Sequence, residues 1–277
     1  MAGLGDMDAS LLTGVPATLL MPLWARAMEH DREDCLLRDP RAAEIVRSVP
    51  FDFGLFARKR VPAVDYCIRA SIFDSIVRTH LQQSPQSTIV ELGVGMDARC
   101  DRVDNGVARW VELDLPEVMQ LRRHFFAETP RRTMLQGSLL ETDWFEAVER
   151  LGCRSPLFVA EGVLYFLSRE QVIWLFTQLA DRFPGSAIVF DAQSPLLLWM
   201  SNLRHPLSGS KLRFSLGRNA SEMERWDPRF HVEQYVGYGD SPYYDRAMGR
   251  LSRIKRLMAR FRSLSRHGFK IVQVGFR

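Results

Sequence analysis

The chain has 277 residues, of which 46% are hydrophobic and 25% are charged, and its formal net charge is +4. This is ordinary globular composition at a length that suits one large domain or two small ones, and it leaves room for a sizeable core. The mild basic excess does not require a nucleic-acid partner, because an anionic small molecule would suit it equally well.

The sequence lacks the marks of a membrane, secreted or metal-binding protein. The four cysteines form no CxxC pair and lie near no histidine at metal-ligand spacing, which predicts free thiols in a reducing compartment and no metal site. No basic segment followed by an apolar stretch opens the chain, and no run of about 18 apolar residues occurs. We therefore expect a soluble, cytoplasmic protein.

The first 85 residues predict helices only. The stretch PATLLMPLWARAMEHDR, residues 16–32, spaces its apolar residues along one helical face, and VPAVDYCIRASIFDSIVRTHL, residues 61–81, does the same. Between these stretches, Asp39 and Pro40 are typical of an N-cap followed by a first helical position.

From residue 87 onward, strands alternate with helices. The predicted strands are TIVELG, RWVELD, TMLQGS, LFVAEGVL and AIVFDA, and both of their faces are apolar, as in strands covered by helices on both sides. This alternation predicts a doubly wound parallel sheet.

The tail departs from the alternation. A strand in FHVEQYVGY, a long basic amphipathic helix near 243–264 and a terminal strand in FKIVQVGFR predict that an antiparallel hairpin closes the sheet. We interpret the basic face of that helix as solvated surface, with an anionic carrier protein or a membrane surface as the alternative partner.

The stretch STIVELGVGMDARCDRV, residues 87–103, ends a predicted strand in two glycines, Gly93 and Gly95. Glycines at this place allow positive φ and a close approach of backbone to ligand, and the N–H groups of the following helix point at whatever binds there. Asp114 ends the second strand nineteen residues after Gly95, near the spacing that ribose recognition uses. This combination favours a ribose-containing ligand over an ordinary tight turn.

Two ribose-containing cofactors suit such a turn. NAD fits formally, because Gly93, Gly95 and Ala98 meet the G-x-G-x-x-A spacing. However, helices precede the strand, and Asp97 would face an anionic pyrophosphate, which a carboxylate repels. S-adenosylmethionine carries a sulfonium, an ammonium and one carboxylate but no phosphate, so an acid-rich turn tolerates it. The residues therefore favour S-adenosylmethionine.

These residues also resemble a known family. ELGVGMDAR resembles the LGxGxDxR signature of the leucine carboxyl methyltransferase family, and the chain is most similar to the bacterial polyketide O-methyltransferase branch. The stretches VPATLLMPLWARAMEHDREDCLLRDPRAAEIV, YCIRASIFD, RWVELDLPEVMQLRR and PLFVAEGVLYFLSREQV resemble that branch as well. The resemblance runs from about residue 14 to 195 and weakens after 200.

The resemblance implies an α/β class I methyltransferase fold, a Rossmann-like seven-stranded sheet whose last strand is antiparallel. Residues 1–85 would form a helical N-terminal cap in the same unit as an S-adenosylmethionine-binding domain, residues 86–277. A substrate lid would be inserted at approximately 194–240.

The resemblance also implies a set of cofactor-binding residues: Arg69, Glu91, Gly93, Gly95, Asp114, Leu115, Ser138, Leu139 and Glu161. In this set Arg69 would take the methionine carboxylate, Asp114 the ribose and Glu161 a place near the ammonium. Relatives often show Asp-Leu where this chain has Ser138 and Leu139, although a serine hydroxyl still accepts a hydrogen bond. Asp97 and Arg99 match the signature, and we expect them to pair with each other or with the cap.

The acceptor side offers fewer signals. Tyr165 and His205 are candidates for the acceptor pocket, and the six histidines form no catalytic constellation. A carboxylate acceptor, with a pKa of about 4, needs no base, whereas a phenol with a pKa of about 10 would benefit from one. The sequence thus predicts an O-methyltransferase acting on a carboxylate or hydroxyl of a small, polyketide-like molecule. Protein C-terminal carboxyl methylation, a nicotinamide-dependent oxidoreductase and a non-catalytic cofactor-binding protein remain as alternatives.

Overall fold

The computed structural model describes residues 17–153, 155–204, 211–252, 256 and 267–277. Four helices precede the first strand: α1 Ala17–His30, α2 Pro40–Ser48, α3 Gly54–Arg58 and α4 Ala63–Gln83. The Asp39 carboxylate accepts the Ala42 N–H at 2.8 Å and Pro40 is the first residue of α2, so the predicted helix start is confirmed. The division into residues 1–85 and 86–277 stays a prediction.

Seven strands form one sheet in the order β3-β2-β1-β4-β5-β7-β6. Their bounds are β1 Thr88–Leu92, β2 Arg109–Asp114, β3 Arg132–Gln136, β4 Leu157–Ala160, β5 Ala187–Gln193, β6 Phe230–Gly237 and β7 Phe269–Phe276. The pairs among β1 to β5 are parallel, while β7 is antiparallel to both β5 and β6. The predicted seven-stranded sheet with an antiparallel last strand is confirmed.

The helices between and after the strands cover both faces of this sheet. They are α5 Arg99–Val103, α6 Pro116–Arg122, α7 Asp143–Arg150, α8 Arg169–Arg182, α9 Pro195–Arg204 and α10 Pro242–Arg246. Every residue of β1 and β4 is buried, and one hydrophobic cluster packs on each side of the sheet. Strands apolar on both faces require this double cover. None of the helices in the described ranges has the length and apolar character needed to cross a bilayer.

The predicted long helix near 243–264 is wrong in the part that the structure describes. Helix α10 ends at Arg246, a 3₁₀ turn follows, and the backbone is extended at Leu251, with φ −70° and ψ 151°. Tyr244, Ala247 and Leu251 are buried in the same hydrophobic cluster as α4. Short turns packed on that cluster repeat apolar residues much as a helix does, which accounts for the apolar spacing. Beyond Ser252, the prediction lies outside the described residues except at Arg256.

The basic face predicted for that helix is not solvated at Arg250. Its guanidinium pairs with the buried Glu29 carboxylate of α1, at 2.9 Å between Nη1 and Oε2. Arg250, which the sequence predicted to be solvated, thus ties the C-terminal part of the chain to the N-terminal helices.

Candidate active site

A cleft of about 840 Å³ opens at the carboxyl ends of the parallel strands. Its floor comes from the turn after β1, from Asp114 at the end of β2, from Glu161 directly after β4 and from Asp191 near the end of β5. Open α/β sheets bind ligands at this edge, where the chain leaves neighbouring strands in different directions. The fold therefore places polar groups from four strands around one space.

Most of the residues predicted from the sequence meet in this cleft. The lining includes Arg69, Glu91, Gly93, Gly95, Asp114, Leu115, Glu161 and Tyr165. Ser138 and Leu139 do not line it: the Ser138 hydroxyl accepts the Leu140 N–H at 3.2 Å, and Leu139 packs in the core. Their assigned contact stays a prediction. His205 lies outside the described residues.

The turn after β1 requires its glycines. Gly93 and Gly95 have φ values of +66° and +54°, and a Cβ at residue 93 would lie 2.6 Å from Val163 Cγ2. The Gly95 N–H donates to Asp114 Oδ2 at 2.6 Å, and the Leu115 N–H donates to Oδ1 at 2.8 Å. Burial raises the pKa of Asp114, and these two N–H groups oppose the rise. Each carboxylate oxygen keeps a further lone pair for a ligand hydroxyl.

Two carboxylates fix the guanidinium of Arg69. Its Nε donates to Glu161 at 2.8 Å and its Nη1 to Asp191 at 3.2 Å. Gly162, at φ +74°, faces this group, and a Cβ there would lie 2.9 Å from Nη2. Bare backbone therefore lets the guanidinium lie against the turn after β4. Both Nη2 hydrogens and one on Nη1 have no acceptor in the described residues, which leaves Arg69 able to bind an anion.

Asp191 is a site residue that sequence reasoning missed. It is 1% exposed and accepts hydrogen bonds from the Gly162 N–H at 2.7 Å and from the Tyr165 hydroxyl at 3.0 Å, besides Arg69. Burial is the larger cause that holds the pKa of Tyr165 well above its usual value, and the negative charge of Asp191 is the second cause. The only signal in the sequence was an acid inside the otherwise apolar strand AIVFDA.

Below the turn, Arg99 is the centre of a buried charge network. Its guanidinium bonds to Asp74 at 3.0 Å, to Glu91 at 2.7 Å and to Asp97 at 3.3 Å, and also to Glu161. The expected pairing of Asp97 with Arg99 is thus present. Burial favours protonation of Asp97, but Arg102, Arg26 and Arg99 outweigh it and hold the pKa well below its usual value.

The N-terminal helices join this network directly. Arg26 of α1 donates to the Met96 carbonyl and to Asp39, each at 2.9 Å. Arg102 of α5 bonds to the same Asp39 carboxylate at 2.8 Å and to Asp74 of α4. The shape of the glycine turn therefore depends on side chains far from it in sequence.

Glu91 is the least satisfied member of the network. Its Oε2 is buried without a hydrogen-bond partner in the described residues, and burial raises its pKa to about 7 despite the proximity of Arg99. A buried carboxylate oxygen without a donor is costly, so the site favours a proton or a cationic ligand here.

Negative charge predominates inside the cleft. Among the lining residues that are not exposed there are three guanidinium groups against six carboxyl groups: Arg26, Arg69 and Arg99 against Asp65, Glu91, Asp97, Asp114, Glu161 and Asp191. Lys59 and Arg60 are the exposed cations of the lining. The interior suits a ligand with positive charge and disfavours a diphosphate.

The comparisons with known proteins identify the family of the chain. The leucine carboxyl methyltransferase family matches residues 19–180, more than half of the chain. The chain belongs to this family. The resemblance seen in ELGVGMDAR and its companion stretches is therefore confirmed.

Relatives within the family are similar over most of the chain. The tetracenomycin polyketide synthesis O-methyltransferase TcmP of Streptomyces glaucescens is 29% identical over 236 residues, which cover 84% of this chain and 86% of that protein. The S-adenosyl-L-methionine-dependent methyltransferase dpfgK of Gibberella zeae is 27% identical over 215 residues, 71% of this chain and 72% of that protein.

A solved structure shares the fold over most of the chain. A candidate methyltransferase from Thermobifida fusca superposes with a TM-score of 0.61 over 97% of both chains at 17% identity. That likeness concerns the fold alone, and it confirms the expected class I methyltransferase architecture.

Proposed function

We propose that this family member transfers a methyl group from S-adenosylmethionine to an oxygen of a small, polyketide-like molecule. The coarser part rests on family membership: the chain is a methyltransferase, and the related dpfgK is named as S-adenosyl-L-methionine-dependent. The observation that carries the cofactor assignment is the excess of carboxyl groups over guanidinium groups among the unexposed residues that line the cleft. This excess suits a sulfonium and an ammonium.

The residues of the cleft fit the parts of this cofactor. Asp114 would accept the ribose hydroxyls, and Arg69 would bind the methionine carboxylate through its remaining N–H groups. Glu161 and the unpartnered Oε2 of Glu91 would receive the ammonium. When bound, S-adenosylmethionine supplies a methyl group on a positively charged sulfur.

The rest of the cleft would hold the acceptor and exclude water. Apolar and aromatic side chains line this part, among them Leu197, Met200, Leu212, Tyr238 and Phe269. Fixing an acceptor oxygen in line with the methyl group supplies most of the rate in such a displacement. Water excluded from the cleft would not compete as an acceptor.

A carboxylate acceptor needs no base, and we find no base for a phenol among the described residues that line the cleft. The Tyr165 hydroxyl donates to Asp191 and its pKa lies well above the usual value, so it does not serve as a base. Asp191 is already engaged by three donors. A carboxylate is ionised near neutral pH without help. Lys59 and Arg60, the exposed cations of the lining, would attract an anionic acceptor to the exposed end.

The cofactor assignment is tested by calorimetry with S-adenosylmethionine, S-adenosylhomocysteine and NADH. We expect both sulfur nucleosides to bind and NADH not to bind. Asp114→Ala should weaken cofactor binding tenfold or more, because a hydrogen bond to a charged group is worth about 1.5–3 kcal/mol. Glu117→Ala removes an exposed carboxyl three residues away and should leave the dissociation constant unchanged. Failure of both nucleosides to bind the wild type would refute the assignment.

The acceptor class is tested with labelled S-adenosylmethionine and matched aromatic substrates that differ only in carrying a carboxylate or a phenol. A methyl ester releases its label as methanol in mild base, whereas an aryl methyl ether retains it. We expect base-labile product from the carboxylate. Base-stable product from the phenol alone would keep O-methylation and overturn the carboxylate preference. Because the family name points to leucine carboxylates, a peptide ending in leucine belongs in the same panel.

A further inference from the structure

We propose that Asp191 is a specificity-determining residue that makes the cleft prefer the positively charged cofactor over its demethylated product. The inference rests on the proposed function, since it concerns which form of the nucleoside the same cleft retains. Asp191 would act through its charge, because its carboxylate is 1% exposed and engaged by Gly162, Tyr165 and Arg69.

The charge of Asp191 is only partly balanced within the protein. Of its three donors, only Arg69 is a cation, and Arg69 is shared with Glu161. Glu161 also accepts a hydrogen bond from Arg99, and Arg99 donates further hydrogen bonds to Asp74, Glu91 and Asp97. Arg26 and Arg102 also pair within this network, with Asp39, Asp74 and Asp97. The connected network thus holds six carboxyl groups against four guanidinium groups, those of Asp39, Asp74, Glu91, Asp97, Glu161 and Asp191 against those of Arg26, Arg69, Arg99 and Arg102. Part of the negative charge is therefore left for a ligand to neutralise.

Methyl transfer changes the charge that such a cleft would hold. The methyl–sulfur bond breaks and its electron pair stays on sulfur, while the acceptor oxygen forms the new bond with its own electron pair. The nucleoside thereby loses one positive charge at sulfur and keeps its ammonium, carboxylate and ribose. An uncompensated carboxylate nearby stabilises the form before transfer more than the form after it. The reaction itself would then weaken nucleoside binding and assist exchange.

Dissociation constants for the two nucleosides test this inference without any turnover. In the wild type we expect S-adenosylmethionine to bind more tightly than S-adenosylhomocysteine. In Asp191→Asn we expect the affinity for S-adenosylmethionine to fall about tenfold more than that for S-adenosylhomocysteine, a difference of about 1.4 kcal/mol. Sinefungin carries an amine in place of the sulfonium methyl. Its affinity should fall in Asp191→Asn by about as much as the affinity for S-adenosylmethionine.

Three variants separate charge from shape. Asp191→Glu keeps the charge and should retain the wild-type ratio of the two constants. Tyr165→Phe removes one hydrogen bond to Asp191 without changing charge, and it should also leave the ratio unchanged. Asp191→Ser is a second neutral variant, measured where Asp191→Asn does not fold as judged by circular dichroism.

The outcomes distinguish this inference from the proposed function. A loss in Asp191→Asn that is equal for both nucleosides would mean that Asp191 only positions Arg69 and would overturn the inference. Product binding at least as tight as cofactor binding in the wild type would overturn it without any variant. If neither nucleoside binds the wild type, the proposed function itself fails.

Discussion

The two walls of the cleft are built from different interactions. The charged wall comprises the glycine turn with Arg26, Arg99 and Arg102, and directional bonds hold it to helices α1, α4 and α5. The apolar wall comprises the lining residues Leu197, Met200, Leu212, Tyr238 and Phe269. Apolar packing is non-directional and tolerates changes of side chain that conserve volume, whereas removing one partner from a buried ion-pair network leaves a charge uncompensated.

The two kinds of interaction indicate which half of the function the chain specifies most tightly. A charged wall with an excess of carboxylates selects one charge pattern, and that suits a fixed cofactor. An apolar wall selects size and shape, and that suits an acceptor recognised mainly by its outline. The family match covers residues 19–180, which hold the charged wall, and it ends before Leu197.

The largest expected effect comes from breaking the charged wall at its centre. Arg99→Ala should lower the free energy of unfolding by about 3–5 kcal/mol, because removing one partner leaves buried charge uncompensated. Glu91 would lose its only hydrogen-bond donor in the described residues. Urea unfolding followed by circular dichroism measures this change.

Arg229→Ala is the matched surface control. Arg229 also pairs with carboxylates, those of Asp181 and Asp227, but its side chain is 34% exposed. Exposed ion pairs contribute about 1 kcal/mol or less. Equal losses for the two variants would contradict the view that the buried network supports the charged wall.

Sequence predicted more of the charged wall than of the apolar wall, for physical reasons. The glycine turn, Asp114 and Arg69 carry local spacing or a family signature, because each has a fixed chemical task. Asp191 was missed because its role depends on β5 lying beside the turn after β4, which no local pattern records. Helix α9 was missed because its segment mixes apolar residues with turn formers.

The error near 243–264 has the same origin. Helical spacing of apolar residues predicted one helix there, but tertiary contacts decided the outcome. Arg250 reaches Glu29, 221 residues away in the chain, and short turns satisfy the same apolar positions. Strands β1, β4 and β5 were predicted well because burial on both faces makes them largely apolar, a property that the local sequence records.

A smaller effect is expected at Gly93, which lies against Val163 of the turn after β4. Gly93→Ala should lower the free energy of unfolding by about 3 kcal/mol, since its Cβ meets Val163 at 2.6 Å and φ is +66°. Gly106→Ala also has positive φ, +83°, but open space around it, so about 1 kcal/mol is expected. Only the first should also weaken nucleoside binding. Similar losses of stability for both variants would mean that positive φ is the cause, and that the contact with Val163 adds nothing.

The smallest effect concerns the weak point of the charged wall, Glu91. Burial raises its pKa in the folded protein to about 7, against about 4.5 in the unfolded chain. The folded state therefore binds more protons between these values, and its stability falls as pH rises through that window. From pH 5 to pH 7 the loss is about 2 kcal/mol.

Glu91→Gln removes this dependence on pH. The melting temperature of the variant, measured by thermal unfolding, should therefore rise relative to that of the wild type as pH rises. Glu146→Gln changes the net charge equally at an exposed site and should keep the wild-type slope. A Glu91→Gln protein with an unchanged slope would show that the unpartnered carboxylate stays ionised at low pH, and the excess negative charge of the cleft would then be constant across this range.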